Sequence, residues 1–85
     1  MELTIMVSSF LQEARKKAVQ REVESLQSEG YRLVCSANLL GNVQSAKLRH
    51  YANGNVIIVT ARNLTIELKK NGKIIKSYEI TLHQS

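Results

Sequence analysis

The chain of 85 residues contains no proline, no tryptophan and no aspartate, a single cysteine, and only three tyrosines and one phenylalanine. Each absence excludes something. Without aspartate, the chain lacks one of the commonest general acids and magnesium ligands. Cys35 alone makes no internal disulfide, and no Cys/His set has zinc-binding spacing, so the fold manages without a covalent or metal staple. That usage suits a reducing compartment, and the expected location is cytoplasmic. No stretch approaches the roughly 20 apolar residues of a membrane span. The N-terminal run MELTIMVSSFL leads straight into the charged QEARKK without a basic n-region, which argues against a signal peptide. The four glycines stand apart, so no glycine-rich phosphate loop is present.

What is present is ordinary for a small globular protein: 44% hydrophobic and 22% charged residues. Residues 1–85 are expected to form one domain, since a chain this short cannot fill two cores. Twelve Lys/Arg against seven Glu give a net charge of +5, which suits a polyanionic partner only where the cations share one face.

From Ser9 to Glu29, the residues Phe10, Leu11, Ala14, Ala18, Val19, Val23 and Leu26 recur at steps of three and four, predicting one amphipathic helix. Ser9 and Gln12 have capping-box spacing, and Gly30 is the natural stop. Residues 1–8 leave two readings open: Leu3, Ile5 and Val7 alternate like a strand, yet equally extend the helix. After Gly30 the period becomes two. Tyr31, Leu33, Cys35 and Ala37 define the inward side of a first strand, which turns at Gly41-Asn42. Ala46, Leu48, His50 and Ala52 define a second.

Two-residue turns at Asn53-Gly54 and Arg62-Asn63 would pair Leu48 with Val59 and Val59 with Ile66. They place Ala46, Leu48, Ile57, Val59, Ala61, Leu64, Ile66 and Leu68 on one face, a set that a one-residue slip would expose. The turn KKNGK is contested. A two-residue Asn71-Gly72 loop puts Glu79 opposite Leu64 on the buried face, whereas a three-residue loop with a bulge, Asn71 to Lys73, pairs Ile66 with Tyr78 and Leu64 with Ile80. The second is preferred because a buried unpaired carboxylate costs several kcal/mol. It leaves Ser77, Glu79 and Thr81 in water and Lys76 on the inner face near an edge, where its ammonium snorkels. The expected fold class is α+β: an N-terminal helix on one face of a four- or five-stranded antiparallel meander, in two layers.

Glu67-Leu68-Lys69 has the Glu-x-Lys spacing of metal-dependent nucleases, but these need a further acid on a neighbouring strand, normally aspartate, and the chain has none. Glu67 and Lys69 therefore read as outward residues of an alternating strand. Cys35 and His50 fall on the inward side with no third group to orient them, so they read as core residues, and His83 lies in the tail. No catalytic residue, metal site or cofactor is expected. The outer face offers Tyr51, Val56 and Ile58 flanked by Lys47 and Arg49, which reads as a protein contact, either with a second copy as a homodimer or with another subunit. A second reading is nucleic-acid binding through Arg15, Lys16, Arg21, Lys69, Lys70 and Lys73, although Glu13, Glu22, Glu24 and Glu29 interrupt the helical part. An inactive relative of the nucleases is third.

Overall fold

In a computed structural model of the chain, one helix, α1 (Glu2–Ser28), is followed by five strands: β1 (Tyr31–Leu39), β2 (Val43–His50), β3 (Val56–Arg62), β4 (Thr65–Lys70) and β5 (Lys73–Glu79). The structure describes the backbone of residues 2–39 and 43–80 and the side chains of residues 10–37 and 43–80. The Gly41-Asn42 turn, Thr81 and His83 lie outside the described residues. The strands form one antiparallel sheet in the order β1-β2-β3-β4-β5. Each strand pairs with its neighbour in sequence, and the sheet does not close into a barrel.

The helix begins at Glu2 rather than at Ser9, so Ser9 and Gln12 stand inside it and not at its start. No proline or glycine precedes Ser9 to stop it, and of the two readings of this stretch the helical one holds for residues 2–8. It ends where expected: Gly30 has a φ of 101°, and its N–H donates to the Gln27 carbonyl at 3.1 Å. Val19 and Leu26 are buried against the sheet, with Ala18 and Val23 packed beside them. The closest packing is against β1, β2 and β3.

Seven of the eight residues expected on the inner face are buried: Ala46, Leu48, Ile57, Val59, Ala61, Ile66 and Leu68. Leu64, at the β3–β4 turn, is half-buried. The faces are those the alternation requires, but the turns are placed differently. Leu48 pairs with Ile57 rather than Val59, because β2 and β3 are joined by five residues, Tyr51–Asn55, rather than by a two-residue turn. The reason lies in His50, whose Nδ1 accepts from the backbone N–H groups of Ala52 and Asn53 at 3.1 and 3.4 Å, winding the chain into a wider loop. Val59 pairs with Leu68 rather than Ile66, because the turn is Asn63-Leu64, with Asn63 taking the left-handed conformation at φ 54°. Both shifts are by two residues, which leaves the buried set unchanged.

At the last hairpin the expected three-residue loop, Asn71 to Lys73, does not form: the turn preference holds, and a bulge further along β5 keeps Glu79 out of the core. Asn71 and Gly72 form a two-residue turn with φ of 50° and 88°, and Lys70 pairs with Lys73. The register then shifts between Leu68 and Lys69, leaving Ile75 as the extra residue, so that Ile66 meets Tyr78 as expected. Asn71 also serves its neighbours: its Oδ1 accepts from the Val56 N–H at 3.0 Å and its Nδ2 donates to Asn55 Oδ1 at 3.2 Å.

A second bulge falls in β1, between Leu33 and Cys35. It corrects the expected inward placement of Cys35. The extra residue, Val34, reverses the alternation, so Cys35 pairs with Lys47 on the open side and Ser36 with Ala46 on the helix side. Cys35 is exposed.

Candidate functional site

Strand register arranges the side of the sheet away from the helix in rows. One row runs Arg32, Arg49, Val56. The next runs Cys35, Lys47, Ile58, Lys69, Ile74. Beyond it come Ala37, Ser45, Thr60, Glu67 and Ser77, and then Arg62, Thr65 and Glu79. The sequence-predicted contact residues Lys47, Arg49, Val56 and Ile58 are thus true neighbours, in the cross-strand pairs Lys47–Ile58 and Arg49–Val56. Tyr51 stands at the end of these rows with 70% of its surface exposed. Its ring stacks on His50 at 5.1 Å, and the Arg32 guanidinium carbon lies 5.9 Å from its centroid.

Sequence reasoning missed Arg32 and Ile74, which join this surface. Arg32 was legible as an outward neighbour of Tyr31. Ile74 was not, because the expected three-residue loop would set Ile75 opposite Lys69, whereas the two-residue Asn71-Gly72 turn sets Ile74 there. The first two rows hold four cations, Arg32, Lys47, Arg49 and Lys69, and no acid, while the farther rows hold Arg62 with Glu67 and Glu79. Glu67 and Lys69 make an exposed ion pair at 3.6 Å, worth about 0 to 1 kcal/mol. Glu67 lies between Thr60 and Ser77, and no group of three or more metal-ligating side chains occurs among the described residues.

The residues of the second reading do not form one patch. Arg15 is not on the solvated face of the helix: it is 4% exposed and donates to the Asn63 carbonyl at 3.3 Å, where α1 crosses the β3–β4 turn. Its guanidinium serves a carbonyl there while its stem packs under the helix. Lys16 and Arg21 are exposed on the helix, Lys69 lies on the opposite side of the sheet, and Lys70 and Lys73 flank the turn at the far end from Asn63.

Two polar clusters fasten the helix. Glu22, expected among the charges of a solvated face, is 9% exposed. Its Oε1 accepts from Tyr78 Oη at 2.6 Å and from Lys76 Nζ at 3.1 Å, which is where the Lys76 ammonium goes. Burial first, then the Glu22 hydrogen bond and charge, push the Tyr78 hydroxyl up from 10.0 to about 12. A raised pKa means the native state holds the proton more tightly, so this contribution is complete below pH 10 and is lost as pH rises through 12. Tyr78→Phe is therefore expected to be less stable than wild type by about 1.5 to 3 kcal/mol near neutrality. In urea titrations that gap should close between pH 10 and 12. A constant gap across that window would mean that the hydroxyl is not held by Glu22.

The second cluster closes the other end. Accepting through Nδ1 leaves the His50 proton on Nε2, which donates to the Glu29 carbonyl at 3.0 Å. The Tyr51 N–H donates to the Gly30 carbonyl at 3.2 Å. An open cleft of about 510 Å³ lies between these clusters, floored by Leu26, Ile57 and Leu68 and rimmed by Glu22, Glu29, Lys70 and Lys76. No helix among the described residues is long and apolar enough to cross a membrane. Comparison of the chain with protein-family models, with curated proteins and with solved structures gives no match.

Proposed function

We propose that the protein is a non-enzymatic contact module whose working surface is the open face of its sheet. Val56 and Ile58 form the apolar centre with Tyr51 at its end, Lys47 and Arg49 form the rim, and the module works as a homodimer or as an accessory subunit of another chain. One observation carries this reading. Among the described residues the helix covers a single face of the five-stranded sheet and nothing is layered over Val56 and Ile58 on the other, Ile58 being among the exposed large hydrophobics, as is Tyr51 at the end of the rows. Small sheets with one uncovered apolar strip gain by burying it against a second surface.

The edges are poorer candidates. Both β1 and β5 carry bulges, and β5 turns Lys76 inward, features that discourage pairing with an added strand. The test is light scattering after size exclusion, with capture of partners, on wild type and Ile58→Lys. Ile58 is 38% exposed on the central strand between Lys47 and Lys69, so the substitution should cost about 1 kcal/mol and leave the protein folded. It should abolish self-association or partner capture. Association that survives Ile58→Lys would overturn the reading. Nucleic acid carried at low salt and shed at high salt would replace it.

A further inference from the structure

We infer that the occupant of the open face is an acidic amphipathic helix of a different protein, laid along β3. The inference rests on the reading of this face as the contact surface and names the chemistry of what covers it. Along β3 the outward residues Val56 and Ile58 make an aliphatic strip. On the β2 side it is bordered by Arg49 and Lys47, with Arg32 beyond, and on the β4 side by Lys69. Neighbouring strands are about 4.8 Å apart, so Lys47 and Lys69 stand about 10 Å from each other across Ile58. That matches the roughly 10 Å width of a helix. A helix seated on Val56 and Ile58 with leucine-like side chains would present its two flanks to cations, and carboxylates there would meet an ammonium or guanidinium on either side. Adding it would turn two layers into three, a standard way of covering the second face of a sheet.

Charge decides against a second copy. Packing the first two rows on themselves sets four cations against four, and the neighbouring acid, Glu67 in the next row, is already paired with Lys69 at 3.6 Å. Nucleic acid is disfavoured by the centre of the patch. Bases stack on aromatic or guanidinium planes, whereas Val56 and Ile58 offer none, and the Tyr51 ring is already stacked on His50.

The probe is a fluorescent synthetic peptide of about twenty residues with leucine along one stripe, glutamate on both flanks and alanine behind. Anisotropy titrations should show binding, with affinity falling as salt rises. The double variant Lys47→Glu/Lys69→Glu should weaken it roughly tenfold or more. Ile58→Lys separates the two contributions, because it adds a positive charge while breaking the apolar strip. It should also weaken binding, whereas a surface that merely attracts polyanions would bind more tightly. Replacing the peptide leucines with serine should reduce affinity to a comparable extent. Circular dichroism checks that the variants remain folded.

Three results would overturn the inference. If the free protein is a dimer that Ile58→Lys dissociates, and the peptide does not bind, the open face is still a contact surface but its occupant is a second copy. If an oligothymidylate binds on this face while the peptide does not, the contact reading falls as well. Peptide affinity unchanged in the variants would place binding elsewhere on the molecule.

Discussion

Leu48→Ala is expected to lower the unfolding free energy by about 3 kcal/mol, within the usual 2 to 5 for a large-to-small change in a core. Leu48 is fully buried at the middle of β2, between its cross-strand partners Leu33 and Ile57 and beneath α1. The neighbours that would have to close the space include Ile57 and Val59, both β-branched and held by sheet hydrogen bonds. A domain of this size has a total stability of roughly 4 to 13 kcal/mol, so this single change removes a large share. Urea unfolding should show a lower midpoint with an unchanged slope. A loss below about 1 kcal/mol would mean that the site collapses freely and that the inner face is not the close-packed core.

Gly30→Ala should cost a comparable amount by a different route. At a φ of 101°, a β-carbon would sit 2.8 Å from His50 Nε2 and 2.9 Å from Tyr51 Cε1. Left-handed backbone costs a side-chain-bearing residue about 1 to 2 kcal/mol. The remainder comes from pushing the imidazole off the Glu29 carbonyl, a hydrogen bond worth about 1 kcal/mol when lost, giving about 3 kcal/mol in all. Two comparisons separate the contributions. Gly54 has a φ of 73° but nothing within 4 Å of a built β-carbon, so Gly54→Ala should show the conformational cost alone, about 1 to 2 kcal/mol. In a His50→Ala background, Gly30→Ala should cost less than in wild type, because the nearest obstacle is gone. Equal costs in the two backgrounds would mean that the imidazole is not what excludes a side chain.

Alternation made the faces of β2 to β4 readable because a period of two is a strong constraint: seven of eight expected inner residues are buried even though two turns fall elsewhere. What escaped the sequence was whatever depended on a local irregularity. The bulge at Val34 moved Cys35 to the open side, and the Asn63-Leu64 turn depended on asparagine accepting a left-handed backbone. At the last hairpin the bulge was legible from the cost of burying Glu79, but its position at Ile75 was not. For the contact surface, Lys47, Arg49, Val56 and Ile58 were legible together because they lie on two adjacent regular strands. The nucleic-acid set combined the helix with a distant turn, and linear sequence gave no sign that Arg15 packs under the helix and meets the Asn63 carbonyl. Glu22 was hidden for a similar reason, since its partners lie 54 and 56 residues away.

That last separation bears on how the chain is made. The helix emerges first during synthesis, carrying Val19 and Leu26 on a stripe whose complement does not yet exist. Every strand pairs with its neighbour in sequence, and the strand that supplies both partners of Glu22 is β5, the last of the five. Until β5 has left the ribosome, a carboxylate destined for burial stands without its ammonium and hydroxyl. The apolar stripe can pack on β1, β2 and β3 as soon as they exist, but the burial of Glu22 waits for β5, and nascent chains halted before Lys76 lack that polar fastening.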